Sequence, residues 1–213
     1  MIRLGNNGNV RALLLDMGGV LVDLDRERCL RAFTEKAGLT TMKDYIDNCH
    51  QRGFFGKYEM GLIDDVELYA ECISRSRPGT TPDIIRECIE AMITGIHPAK
   101  GPLLREVSKY CDLYMVSNNN PIALRYCSKL FDEAGIPLDT TFKHLFCSYQ
   151  MHIGKPSDAF YRKVIDTIGL PPSQMVFVDD SPINVEGAAR FGIDARLYEP
   201  GTDLSAVLQP VWD

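Results

Sequence analysis

What this 213-residue chain lacks narrows its class before any motif is considered. No apolar run approaches the length of a bilayer span, so neither a transmembrane helix nor a membrane partner is expected. Met1 to Val10 is polar and rich in Gly and Asn, without the apolar core of a secretory signal, so a cytoplasmic location is expected. Basic charge is scarce: 23 Lys and Arg face 29 Asp and Glu, for a net charge of −6 and a pI of about 5.3. That balance argues against nucleic acid or an anionic membrane as the main partner. A small anionic substrate stays open, because a metal ion and a few amides can hold one. The seven cysteines (Cys29, Cys49, Cys72, Cys88, Cys111, Cys127 and Cys147) are odd in number and contain no Cys-x-x-Cys pair. They read as reduced, apolar residues rather than a disulfide framework. His144 and Cys147 are neighbours, but no second ligand pair accompanies them, so no zinc site is expected there. Internal repeats and low-complexity tracts are absent too.

What remains is ordinary globular material, 45% hydrophobic and 24% charged, enough for one large domain or a domain with an insertion. The most informative stretch is Leu13-Leu14-Leu15-Asp16-Met17-Gly18-Gly19. A short apolar run, the length of a buried parallel strand, ends in one carboxylate. Two glycines nearby let the backbone turn sharply and approach a ligand.

The segment from Asp25 to Lys100 reads as helical, without a strand. Leu30, Phe33 and Ala37 recur at helical spacing before Gly38, a natural stop. Asp64 to Glu67 resembles a capping box, and Thr81-Pro82 pairs an N-cap with Pro at the first helical position. Gly53 to Tyr58 is an aromatic, glycine-rich stretch between these helices. From Gly101 onward helices and strands alternate. Strands are expected at Ala12–Leu15, Leu113–Val116, Leu145–Ser148, Met175–Val178 and Ala195–Tyr198. Helices are expected at 102–109, at 121–134, from Ser157 to Gly169 and from Ser181 to Gly192. Such alternation predicts an α/β fold: a Rossmann-like, doubly wound parallel sheet with helices on both faces. The helical block is then an insertion after the first strand, with a core made of residues 1–24 and 101–213 and a helical cap made of 25–100.

In open α/β sheets ligands bind beyond the carboxyl ends of the strands, and four such positions carry polar residues. Asp16 is the first. Ser117, followed by Asn118, is the second: a hydroxyl and loop amides there can bind phosphate oxygens, although alone they read as an ordinary turn. Lys155, in Gly154-Lys155-Pro156, is the third, a cation held just before a helix. Asp179-Asp180 is the fourth. Two adjacent carboxylates at the end of a buried strand repel each other unless a cation joins them, and Mg²⁺ suits oxygen ligands of this kind. Asn184 follows one turn later.

In this order the four positions resemble the motifs of the haloacid dehalogenase-like hydrolase superfamily, over nearly the whole chain. The resemblance implies a Mg²⁺-dependent phosphatase acting on a small phosphate ester, with a sugar phosphate as the first guess. It implies Asp16 as nucleophile, forming an aspartyl-phosphate that water then releases. Ser117 and Lys155 would hold the transferring phosphoryl group, aided by Gly18 and Asn118. The metal would be held by Asp16 and Asp180, with the Gly18 carbonyl as a further ligand and Asp179 or Asn184 in the outer sphere. One departure stands out. Phosphatases of the family usually carry a second Asp two residues after the nucleophile, as general acid and base. Here Gly18 occupies that position, as in a subgroup resembling sugar-phosphate phosphatases, and Asp23 or a cap residue is left to supply the proton. Two alternatives are a 2-haloacid dehalogenase, against which the acidic pair Asp179-Asp180 argues, and a catalytically weak phosphate-binding member of the fold.

Overall fold

The computed structural model describes residues 2–4, 10–47, 51–208 and 210–212, with side chains for 10–47 and 51–208. The chain begins with β1 (Ile2–Leu4), β2 (Ala12–Leu15) and β3 (Asp23–Leu24). The helical block contains α1 (Arg26–Ala32), α2 (Gly53–Glu59), α3 (Asp65–Ile73) and α4 (Pro82–Glu90). It is followed by β4 (Ile93–Gly95), α5 (Lys100–Val107), β5 (Asp112–Ser117), α6 (Pro121–Glu133), α7 (Leu138–Thr141) and β6 (His144–Cys147). The chain continues through α8 (Ser148–Met151), α9 (Asp158–Ile168), β7 (Met175–Asp179), α10 (Pro182–Ala189), β8 (Asp194–Leu197), α11 (Leu204–Leu208) and β9 (Pro210–Trp212).

Five strands form one parallel sheet in the order β6-β5-β2-β7-β8. All five were expected, to within a residue or two at their ends. The continuous apolar run of β2 follows from its place. It is paired on both sides, and Leu13 and Leu15 face one core while Ala12 and Leu14 face the other. Its four residues are fully buried, and each leucine contributes on the order of 2 kcal/mol. The first core includes Leu104 and Val107 of α5 and Phe131 of α6; the second includes Phe160 and Val164 of α9 and Ala188 of α10. After β2 the chain builds outward through β5 and β6, then returns to the other side of β2 for β7 and β8. The strand order therefore reverses beside β2, where open α/β sheets bind ligands.

The helical block has an apolar core of its own, built on Cys29, Phe33, Met42, Phe55, Tyr58, Leu68 and Ile85, and Ile122 of α6 joins it from the sheet side. Its expected helix signals hold. Asp64 and Glu67 form a reciprocal capping box, and the Thr81 hydroxyl accepts from the Ile84 N–H. Gly38 ends the first helix with φ +68, after a wider turn over Phe33–Ala37. The aromatic stretch at Gly53 forms a helix, α2, because Phe54, Phe55 and Tyr58 all bury into the block's core. One expectation needs correction: the block is not free of strand, since β4 pairs antiparallel with β3, joining the chain's way into the block to its way out. Neither is long enough to show a period of two in the sequence. An additional antiparallel pair joins β1 to β9.

Among the described residues no helix is long and apolar enough to cross a membrane. The six described cysteines are buried and unpaired, and burial pushes their thiols up to about 11 or 12. Cys49 lies outside the described residues. His144 is exposed and packs against Phe146, with no metal-ligand group around it among the described residues.

Candidate active site

All four polar positions reach one cavity of about 600 Å³ between the carboxyl ends of the sheet and the helical block. Asp16 follows β2 directly, its N–H donating to the Val178 carbonyl of β7 at 2.9 Å. The turn after it is tight: the Leu21 and Val22 N–H groups both donate to the Met17 carbonyl, and the Gly19 N–H donates to the Val22 carbonyl. Gly19 has φ +78, and a Cβ there would lie 2.1 Å from Asp180 Oδ2. Only glycine allows this turn to pass so close to the Asp180 carboxylate.

Lys155 lies between two of the carboxylates. Its Nζ is 3.0 Å from Asp16 Oδ1 and 2.6 Å from Asp179 Oδ2, and its side chain is 1% exposed. The Asn118 amide holds the Lys155 backbone from both sides: Oδ1 accepts the Lys155 N–H and Nδ2 donates to the Lys155 carbonyl, each at 2.8 Å. Gly154 makes room for that clamp, since a Cβ there would meet Asn118 Oδ1 at 2.7 Å. The expected phosphate contact from Asn118 therefore falls to its backbone amide. Both polar ends of its side chain serve Lys155, which leaves its backbone as the part able to face a ligand. Ser117 ends β5, buried in the cavity wall, with only a long 3.4 Å contact from its hydroxyl to the Asn118 carbonyl.

Carboxylate oxygens of Asp16, Asp179 and Asp180 lie within 4.8 Å of one another. Asp179 is fully engaged. Its Oδ1 accepts from the Ser181 N–H and from Asn184 Nδ2, and its Oδ2 accepts from Lys155. Ser181 sits at the N-cap of α10 but makes no side-chain cap bond; its backbone N–H serves Asp179 instead. Asn184 Oδ1 is buried without a hydrogen-bond partner. On Asp16, Oδ1 takes both the Met17 N–H and Lys155, which leaves Oδ2 the less engaged oxygen.

The family model for haloacid dehalogenase-like hydrolases matches residues 10–192. The chain belongs to the haloacid dehalogenase-like hydrolases. It is 27% identical over 195 residues to a D-ribitol-5-phosphate phosphatase of Bacteroides thetaiotaomicron, covering 91% of this chain and 94% of that protein. A haloacid dehalogenase family enzyme from the same organism, solved as an aspartate-to-alanine mutant with magnesium and inorganic phosphate, superposes with a TM-score of 0.88. It is 27% identical, with coverage of 92% of this chain and 98% of that one. A haloacid dehalogenase-like hydrolase of Porphyromonas gingivalis gives 0.85 at 26% identity, with 94% and 97% coverage.

The electrostatics of this hydrolase's site reflect crowded negative charge. Burial pushes the Asp16 carboxyl up to about 8; Lys155 opposes the shift, and Asp179 and Asp180 add to it. Burial and then Asp179 push Asp180 up to about 6. For Lys155, burial opposes the charge, but Asp16 and Asp179 outweigh it and hold the ammonium above the ordinary lysine range.

In this hydrolase the cavity is completed from the helical block, mostly by residues that the sequence pattern does not single out. Arg26, Asp47, Gln51 and Phe55 line it from the helical block, together with Glu59, which is buried. Of the aromatic stretch, Phe55 reaches this cavity, while Phe54 and Lys57 line a separate surface groove. Asp23 also lines the cavity but is held by Lys100 Nζ at 2.8 Å. Glu59 gave no signal in the sequence, because it ends a short helix whose existence depends on tertiary packing.

Proposed function

We propose that this hydrolase is a Mg²⁺-dependent phosphatase of small phosphorylated metabolites, with residues 25–100 acting as a cap over a core of 1–24 and 101–213. The observation that carries this reading is the buried Lys155 ammonium, held between Asp16 and Asp179 in the same cavity as Asp180. Asp16 Oδ2 attacks phosphorus and the ester bond breaks, leaving an aspartyl-phosphate that water hydrolyses in a second step. Ser117 and Lys155 bind the transferring phosphoryl oxygens and offset the charge that builds on them. Asp179 is a positioning residue: it orients Lys155 and Asn184, and both of its oxygens already accept hydrogen bonds.

The residues fit a hard divalent cation. The donors are all oxygen, the Asp16 and Asp180 carboxyls are raised first by burial and then by their acidic neighbours, and Asn184 Oδ1 is an orphaned buried acceptor. Asp16, Asp180 and the Gly18 carbonyl would hold it, with Asn184 and Asp179 behind them. When bound, Mg²⁺ neutralises carboxylate and phosphoryl charge. A sugar or polyol phosphate is supported by the polar lining from Asp23, Arg26, Asp47 and Gln51, and by the similarity to the ribitol-phosphate phosphatase. The buried, unpaired cysteines support a reducing, cytoplasmic setting.

Phosphate release from a panel of sugar, polyol and aryl phosphates, with Mg²⁺ and with EDTA, tests the reading. Mg²⁺-dependent release is expected. No release from any ester would leave phosphate binding without turnover, and halide release from 2-haloacids without metal would favour the dehalogenase alternative.

Metal binding has its own readout. Millimolar Mg²⁺ should raise the melting temperature, because a ligand that binds only the folded state stabilises it by mass action. The rise should be larger near pH 8 than near pH 5, since protons compete for Asp16 and Asp180. Asp180→Ala should abolish the response. An equal Mg²⁺ shift in parent and variant would remove Asp180 from the metal site.

A further inference from the structure

With Gly18 where the family usually has its acid, the leaving alkoxide has no proton source on the nucleophile's own loop. We propose that Glu59, from the helical block, is the catalytic acid and base of this hydrolase; the inference rests on the phosphatase reading above. Three features of the structure converge on it.

The first is location. Glu59 lines the cavity that holds Asp16, Ser117, Lys155 and Asp180, and it belongs to α2 of the helical block. A leaving group whose phosphoryl group is held at the strand ends shares that cavity with it. The second is fixation. The Ser148 hydroxyl donates to the Glu59 carbonyl at 2.6 Å and itself accepts from the Asn119 N–H at 3.0 Å. The next carbonyl, of Met60, meets His152 Nδ1 at 3.1 Å. Gly61, with φ +65, packs so closely that a Cβ would lie 2.0 Å from the Tyr149 carbonyl. The backbone of 59–61 is thus docked on the segment after β6, which fixes where the carboxyl begins. The third is protonation. Burial pushes Glu59 up to about 7, partly offset by Lys155 and by a backbone hydrogen bond from Gln51. A carboxyl titrating there can both give and take a proton near neutral pH. The charged groups lining the cavity around it are Lys155, Asp16 and Asp180 from the core, and Asp23, Arg26 and Asp47 from the block and its entry. Asp23, the other acid considered for this task, is already paired with Lys100.

The two half-reactions balance. In the first, Asp16 Oδ2 bonds to phosphorus, the phosphorus–oxygen ester bond breaks with its electron pair on oxygen, and that oxygen takes the Glu59 proton to leave as an alcohol. In the second, the Glu59 carboxylate takes a proton from water as the water oxygen bonds to phosphorus. The phosphorus–Asp16 bond breaks, phosphate leaves, and Glu59 is again protonated.

The test compares kcat/KM, which reports the steps through departure of the leaving group, for an alkyl phosphate and for p-nitrophenyl phosphate. Glu59→Gln keeps the shape of the protonated acid. It should lower kcat/KM on the alkyl ester by about 100-fold or more, and much less on the aryl ester, whose phenolate departs without a proton. The fall in alkyl-ester activity above about pH 7 in the parent should vanish in the variant. Gly18→Asp placed in the Glu59→Gln background should restore much of the alkyl activity. Gly18 is not among the positive-φ residues, and a Cβ there meets only the Leu24 side chain. Folding is read separately. Glu59→Gln should raise the melting temperature near pH 8 and not near pH 5, because it removes a carboxyl that is costly to ionise in the folded protein. Equal losses on both esters with an unchanged pH profile would make Glu59 a binding residue and overturn the proposal. So would a melting temperature lowered at both pH values without rescue by Gly18→Asp. If the parent hydrolyses neither ester, the phosphatase reading itself fails. If it hydrolyses both and Glu59→Gln is indistinguishable from it, only the proton role fails.

Discussion

Asp16→Asn should eliminate phosphate release while leaving the protein at least as stable as before. The amide has nearly the shape of the carboxylate, so the Met17 N–H keeps an acceptor. It cannot form the acyl phosphate, however, and loss of a covalent nucleophile costs on the order of 10⁵–10⁶-fold in kcat. Stability should not fall, because a carboxyl pushed up to about 8 by burial and by Asp179 and Asp180 is itself a cost to the fold at neutral pH. Lys155 loses one anionic partner but retains Asp179 at 2.6 Å. Acid-quench trapping should recover a phosphorylated parent and no phosphorylated variant. A variant with parental turnover, after controls for contaminating phosphatase, would remove Asp16 from the mechanism.

Lys155→Met should damage both activity and stability. The ammonium is the charge that balances Asp16 and Asp179, and its side chain is 1% exposed. Removing one partner from a buried ion pair costs about 3–5 kcal/mol, because the remaining charge is stranded. Loss of a fixed cation beside the transferring phosphoryl group should lower kcat by about 100- to 1000-fold. The stability loss should depend on pH. Without metal, Asp16 and Asp180 have folded-state values of about 8 and about 6, above the ordinary 3.8, so the folded protein binds more protons than the unfolded chain between those limits. Stability therefore falls as pH rises through that window. Lys155 opposes both shifts, and its removal should steepen the fall. Urea unfolding in EDTA near pH 5 and near pH 8 should give a larger deficit at the higher pH, and Mg²⁺ should recover part of it. The same deficit at both pH values would indicate lost packing in place of lost charge.

The residues of the candidate site were largely legible in the sequence, because each occupies a position with a local signature. Asp16 and Asp179 follow apolar runs whose unbroken hydrophobicity marks strands buried on both faces. Lys155 precedes a Pro and an N-capping Ser157, so the chain announces where the loop ends. Nearest-neighbour chemistry predicted these elements because a buried parallel strand and a capped helix are both written in a few contiguous residues.

What the sequence could not determine are the relations between residues far apart in the chain. The Asn118 clamp joins positions 37 residues apart, and its role as a support for Lys155 exists only because β5 and the segment after α8 end side by side. The β3–β4 pair is two and three residues long, below the length at which periodicity can be read, and it forms because the two crossings between core and helical block must lie next to each other. Glu59 is the clearest case. It stands between Tyr58 and Met60 at the end of an aromatic, glycine-rich stretch, its helix is held by the block's core, and its backbone is held by Ser148, 89 residues later. A carboxyl's ionisation depends on burial and on the charges around it, and for Glu59 both come from distant parts of the chain. The sequence by itself therefore determined the fold class and the residues at the strand ends. Only the tertiary structure decided which carboxyl of the helical block stands over them, because burial and proximity are properties of packing and not of neighbouring residues.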